Sequence, residues 1–311
     1  MRKSVTVLAL VLAAWLAHGA EKWPESAELV VKGLKFTEGP AWHAKGILLF
    51  SDIPANRIYR WEEGKEPTVF REPSNNSNGL AFDSQGRLLA CEHGARRVTR
   101  TEADGTVTVL ADKIEGKRLN SPNDLALAAD GSIYFTDPPY GVKYEDRELD
   151  FQGVYRVSPG GKLALLVKDL GRPNGIGLSP DGKRLYVDDS EARTVYVYDV
   201  QGDGSVANGR LLINLGLHGT RVCDGLKVDV EGNLYVTGTD AVYVVSPEGR
   251  LLAKIGCPGQ CTNCCFGGVD GKTLFVTSRT KEGGGVYRVR VPIAGSSPKS
   301  AGRDKGMGAG E

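Results

Sequence analysis

The sequence predicts an all-β fold, a six-bladed β-propeller of four-stranded antiparallel blades around a central tunnel. Three observations predict it. One phrase is written six times, a glycine stands at the same offset in every copy, and a β-rich run follows each glycine. The copies are "EGPAWHAKG" from Glu38, "NGLAFDSQG" from Asn78, "NDLALAADG" from Asn123, "NGIGLSPDG" from Asn174, "DGLKVDVEG" from Asp224 and "NCCFGGVDG" from Asn263. The fixed glycines are Gly46, Gly86, Gly131, Gly182, Gly232 and Gly271.

Each copy then yields its strands in order. The run after the glycine is "ILLFSD", "RLLACE", "SIYFTD", "KRLYVDD", "NLYVTG" or "KTLFVTS", and a third apolar run usually follows, such as "RIYRW" or "GVYRVS". β-branched and aromatic residues bounded by Gly, Asp and Pro favour strands, and a glycine between two runs accommodates a hairpin turn. Within the first strand, residues two and four after the anchor share a face. They are Leu80 and Phe82, Leu125 and Leu127, Ile176 and Leu178, and Leu226 and Val228, which should pack between blades. Radial stacking of such small sheets buries a core that no single sheet holds.

Composition agrees. Forty-one Gly and 15 Pro against two Met indicate many turns and little helix. Thirty-nine basic against 38 acidic residues leave no footprint for nucleic acid or an anionic membrane. Residues 1–20 read as a signal peptide: Arg2 and Lys3, an apolar run from Val5 to Ala17, then the small residues of "AHGA". A secreted or periplasmic location follows, with no membrane attachment after cleavage. Residues 24–292 form the propeller domain. Residues 293–311, small and polar, read as a disordered tail. A monomer is expected.

In a propeller the first strand of each blade lines the tunnel, so the six anchors Glu38, Asn78, Asn123, Asn174, Asp224 and Asn263 should converge at one mouth. Every one carries a carbonyl-type side-chain oxygen. Asn and Asp suit strand starts for local reasons, but six of six, two of them carboxylates, point further. Two carboxylates near one axis repel unless a cation lies between them. Hard oxygen donors suit Ca²⁺, although Mg²⁺, Mn²⁺ or Zn²⁺ can occupy an oxygen cage. No tight His/Cys cluster marks a dedicated zinc centre, and no G-x-S-x-G elbow is present.

The phrases "FTEGPAW", "NSPNDL", "YFTDPPYG", "FQGVYRV", "RPNGIGLSPDGKRLYV", "CDGLKVD" and "TNCCFGG" resemble those of the family of senescence marker protein 30, gluconolactonase and luciferin-regenerating enzyme. The resemblance spans about residues 30–290 and is nearest to secreted bacterial gluconolactonases. It implies a divalent metal, most simply Ca²⁺, held by Glu38, Asn123, Asn174 and Asp224. It also implies that Asp224 is the catalytic acid–base residue. The implied reaction opens a sugar lactone such as D-glucono-1,5-lactone, the metal polarising the carbonyl. Whether Asp224 activates water or attacks as a nucleophile stays open.

Asn78 and Asn263, outside that set, are expected to line the pocket, and Arg118 and Asn120 in "RLNSPND" to contact substrate. Animal members carry Arg two residues before the Asn123 position, where Ser121 stands here. His93 reads as a structural histidine. Asp52, Glu92, Asp137 and Asp188, each fourteen residues after an anchor, read as repeat turn chemistry. The charged segment 140–155 is expected to overhang the mouth as a lid; Glu145 and Glu148 read first as solvated charge, with contact to substrate as the alternative. Six cysteines, four of them in "CPGQCTNCC", admit a Cys257–Cys261 bridge in an oxidising compartment. The rival readings are a phosphotriesterase resembling diisopropylfluorophosphatase and a non-catalytic binding module with structural calcium.

Overall fold

The computed structural model describes residues 22–296; the expected signal peptide and the tail beyond residue 296 lie outside them. Strand β1 (Glu28–Leu34) is followed by a first sheet of β2 (Thr37–His43), β3 (Ile47–Asp52), β4 (Arg57–Trp61) and β5 (Thr68–Arg71). The second sheet holds β6 (Ser77–Phe82), β7 (Leu88–Glu92), β8 (Arg97–Thr101) and β9 (Val107–Ala111). A small ribbon, β10 (Lys113–Ile114) and β11 (Lys117–Arg118), leads to a third sheet of β12 (Leu125–Leu127), β13 (Ile133–Asp137), β14 (Gly153–Val157) and β15 (Leu163–Val167). The fourth comprises β16 (Pro173–Leu178), β17 (Arg184–Asp189), β18 (Thr194–Val200) and β19 (Val206–Asn214). Last come β20 (Cys223–Val228), β21 (Leu234–Val245), β22 (Leu251–Gly267), β23 (Thr273–Thr280) and β24 (Gly283–Arg290).

The fold is an all-β propeller, but the expectation of six separate blades is corrected to five sheets. Copies five and six share one six-stranded sheet, ordered β1-β24-β23-β22-β21-β20. The cause is the length of two strands. β21 pairs with β20 through its first half and with β22 through its second, while β22 continues onto β23. Thr239 opposite Gln260 keeps the ladder unbroken where a gap between blades would fall. β1 then pairs antiparallel with β24, so the earliest strand closes the ring onto the latest.

The fixed glycines act as the sequence implies. All six have positive φ, from 69° at Gly271 to 88° at Gly131, a region where a side chain is strained. Each donates its N–H to the carbonyl three residues earlier, as Gly86 does to Asp83 and Gly182 to Ser179. Six apolar clusters fill the wedges between successive copies. Leu80, Leu125, Ile176 and Leu226 are buried there, each stabilising by about 1.5–3 kcal/mol relative to exposure. Phe82, Leu127 and Leu178 are half-buried and border a cavity of about 470 Å³ at the far end of the tunnel. Residues 293–296 do not behave as the start of a loose tail. Gly295 N–H bonds Gly271 O and Ser296 N–H bonds Val228 O. Among the described residues, no helix is long and apolar enough to cross a membrane.

Candidate active site at the tunnel mouth

The innermost strands bring the anchors together because they approach more closely than side chains allow. Four anchors are followed by glycine. A Cβ on Gly39, Gly79, Gly175 or Gly225 would fall 2.0–2.6 Å from the neighbouring copy, meeting Asn78 O, Asn123 O, Asp224 O and the Asn263 side chain in turn. Hydroxyls on the second strands fix the next copy's backbone. Ser51 Oγ donates to Asn78 O (2.8 Å), Thr136 Oγ1 to Asn174 O (2.7 Å) and Thr237 Oγ1 to Thr262 O (3.0 Å).

A cavity of about 580 Å³ opens at this mouth, lined by Glu38, Asn78, Asn123, Asn174 and Asp224 with His93, Tyr140, Ser190 and Gln260. The five anchors are all buried. Asp224 is held from both sides: Oδ1 accepts from Asn174 Nδ2 (2.9 Å) and Oδ2 from Gln260 Nε2 (2.9 Å). Burial raises its pKa to about 7, against these two hydrogen bonds. Glu38 is pushed well above the usual range, by burial first and then by the charge of Asp224. Its Oε2 accepts the Gly39 N–H at 2.7 Å. Burial lowers His93 to about 4, leaving a neutral ring whose Nε2 lies 3.2 Å from Asn78 Nδ2. Tyr140 is pushed up to about 12, again mainly by burial, and stays a phenol.

Beneath the mouth a single cation crosses the tunnel. Lys227 Nζ donates to Asp124 Oδ2 (2.9 Å), Leu226 O (3.0 Å) and Asn263 Oδ1 (3.3 Å). Asn263 is therefore occupied below the cavity and does not line it, contrary to expectation. Nor do the other two proposed contacts reach it. Arg118 is exposed and donates to Ala95 O, while Asn120 is buried and donates to Asp137 O and Phe151 O. Asn78 does line it, through a side chain whose Oδ1 has no partner.

The segment after residue 139 contributes Tyr140, not an acidic residue. Glu148 faces away, accepting from Arg118 N–H at 2.7 Å, and Glu145 belongs to a short 3-10 turn, Tyr144–Asp146. Of the carboxylates spaced fourteen residues from an anchor, Asp52 and Asp137 accept backbone N–H groups just ahead of that anchor. In copy four Asp189 takes this role, accepting from Gly171 and Arg172. Asp188 instead turns inward, with Oδ1 on Gly175 N–H and Oδ2 unpartnered. All six cysteines are buried and unbridged; Cys261 Sγ lies 3.4 Å from Cys257 O. Tyr140, Ser190, Gln260, Arg172 and Arg221 line the cavity without having been singled out, because none stands at a repeated position.

The donor set can be tested for a cation. Among the described residues, no three His, Cys, Asp or Glu side chains cluster as a metal cage. The mouth offers two carboxylates and amides instead. Asn174 spends its Nδ2 on Asp224, Ser190 and Tyr140, and its buried Oδ1 has no partner. An orphaned amide oxygen beside two buried carboxylates, whose charge burial disfavours, is what a hard divalent ion would satisfy. The residues present fit the group.

The family model SMP-30/Gluconolactonase/LRE-like region matches residues 36–280. A gluconolactonase of Zymomonas mobilis subsp. mobilis is 35% identical over 298 residues, covering 86% of this chain and 82% of that protein. A pentonolactonase of Haloferax volcanii is 27% identical, covering 80% and 83%. The solved structure of a gluconolactonase from Xanthomonas campestris superimposes with a TM-score of 0.77 at 34% identity, covering 85% of this chain and 89% of that one. The chain thus belongs to the SMP-30/gluconolactonase/LRE-like family.

Proposed function

We propose that the chain hydrolyses a sugar lactone, with a divalent cation, Ca²⁺ by donor chemistry, held by Glu38, Asn123, Asn174 and Asp224. The observation that carries this reading is the pair of buried carboxylates flanked by amides at the floor of a substrate-sized cavity. The family membership and the names of the lactonase relatives support the ester chemistry. When bound, the cation supplies Lewis-acid polarisation of the ester carbonyl.

The chain's own groups divide the rest. Asp224, oriented by Gln260 and Asn174, takes a proton from water as its oxygen adds to the lactone carbonyl. It returns that proton to the ring oxygen as the C–O bond breaks. Tyr140, a phenol at neutral pH, can donate to a hydroxyl of the sugar. Neutral His93 and its partner Asn78 offer further polar contacts without adding charge.

The test is pH-stat hydrolysis of D-glucono-1,5-lactone. Wild type should lose activity in chelator and regain it with Ca²⁺. Asp224→Asn should lose about 10³-fold or more in kcat, the scale of a missing acid–base group and metal ligand. Full activity in excess chelator, or an Asp224→Asn variant as fast as wild type, would end this reading. Label from H₂¹⁸O appearing first in the Asp224 carboxylate in a single turnover would make that residue the nucleophile.

A further inference from the structure

The cavity lining is mixed. Phe36, Ile53 and Pro54 are apolar members of it, and two guanidinium groups, Arg172 and Arg221, line it as well, with Glu191 beside Arg172. Arg172 lies two residues before Asn174, and Arg221 three before Asp224. Each therefore sits just outside a proposed cation ligand, towards solvent.

Among the described residues, neither arginine has a side-chain hydrogen bond to an acid. Arg172 lies over the Tyr140 ring, 5.5 Å from its centroid, which fixes the plane of its guanidinium. Its approach to Glu191 is 3.8 Å, too long for a hydrogen bond and open to water, and its Nε has no partner. Arg221 is exposed, with its backbone N–H on Thr239 Oγ1. Its side chain has no acidic partner among the described residues. The remaining acids of the cavity, Glu38 and Asp224, form the floor and belong to the cation.

A neutral sugar lactone presents hydroxyls, which both donate and accept. A guanidinium only donates, through a planar fork that matches carboxylate and phosphate oxygens. Two guanidinium forks lining one cavity, one of them held only by an exposed 3.8 Å approach to Glu191, favour an acceptor-only group above a floor that a divalent ion would neutralise. We propose that the natural substrate is an anionic lactone. Its carboxylate or phosphate, on the side of the ring away from the ester carbonyl, is received by Arg172 and Arg221. This rests on the lactonase reading and adds the substrate class to it.

The experiment compares three lactones on the calcium-loaded protein: neutral D-glucono-1,5-lactone, D-glucaro-1,4-lactone with its free carboxylate, and 6-phospho-D-glucono-1,5-lactone. At low ionic strength, kcat/KM for at least one anionic lactone should exceed that of the neutral one by tenfold or more, and the preferred member identifies the anion. In Arg221→Gln and Arg172→Gln the anionic-to-neutral ratio of kcat/KM should fall by at least tenfold, mainly through KM. Raising salt should reduce the same ratio. Hydrolysis of all three within twofold of one another, or a ratio unmoved in both variants, overturns the anion proposal and leaves the lactonase reading standing. Hydrolysis of none of the three overturns both.

Discussion

Glu38 and Asp224 are expensive residues to bury together. Each is held well above the ordinary carboxylate range, Asp224 at about 7. In the metal-free protein the folded state therefore binds protons that the unfolded chain has already released. Stability must fall as pH rises from about 4, the unfolded range, through about 7, the folded value. Thermal unfolding in chelator should show Tm dropping across that window. Asp224→Asn should flatten the drop and stabilise the metal-free protein at pH 8 by a few kcal/mol, while abolishing hydrolysis. A metal-free Tm that rises from pH 4 to pH 8 would contradict the assignment. Stability and activity moving in opposite directions is the signature of a functional pair of charges, not of a structural one.

The anchors were legible because a side chain with a carbonyl-type oxygen (Asn, Asp or Glu) recurred at a fixed place in six copies. Asn263 shows the limit of that signal. Its position matches the others, yet Lys227, itself unremarkable in sequence, draws its oxygen beneath the cavity. Asp188 shows another: a one-residue register difference hands the turn role to Asp189. Arg118 and Asn120 stand close to Asn123 in sequence, but the chain turns between them and they face other partners. Tyr140 and Gln260 come from single loops and a strand junction, for which no repeat exists to compare.

Elements rather than residues set how closely the anchors converge. Each inner strand must admit its neighbour's backbone, and glycine after the anchor permits this. At Gly39 the demand is double, since its φ is 50° and a Cβ would stand 2.0 Å from Asn78 O. Gly39→Ala should force β2 and β6 apart, lowering stability by several kcal/mol and displacing Glu38 from Asp224. Calorimetric Ca²⁺ affinity should weaken by tenfold or more even where the variant stays folded. Gly46→Ala offers the contrast: positive φ, but nothing within 4 Å of its Cβ. It should cost about 1 kcal/mol and leave Ca²⁺ affinity unchanged. Equal losses of affinity in both variants would refute the close-approach argument.

At the scale of the whole molecule the repeat made the propeller readable, and its departures from repetition were not readable. The merging of copies five and six depends on β22 running on through Pro258 and Gly259, a dipeptide that in the sequence reads as a turn. Cation binding should be felt by the entire ring, because the residues proposed to hold the ion come from sheets one, four and the last and from just ahead of the third. At free Ca²⁺ one hundred times its dissociation constant, linkage predicts about 2.7 kcal/mol of added stability, seen as a single cooperative transition moved to higher temperature. No shift in Tm at saturating Ca²⁺ would mean that the folded chain holds no such ion.

The pairing of β1 with β24 bears on the order of events during synthesis. Val31 packs beside Val286, and Glu38 follows only four residues after β1 ends. A nascent chain still lacking β24 leaves β1 with an open edge and holds Glu38, the first of the proposed acidic ligands, on an unanchored arm. Synthesis must therefore pass β24 before the pocket exists, and a ribosome stalled within the β23–β24 hairpin should carry an inert chain whose strand β1 is free to pair with a neighbour.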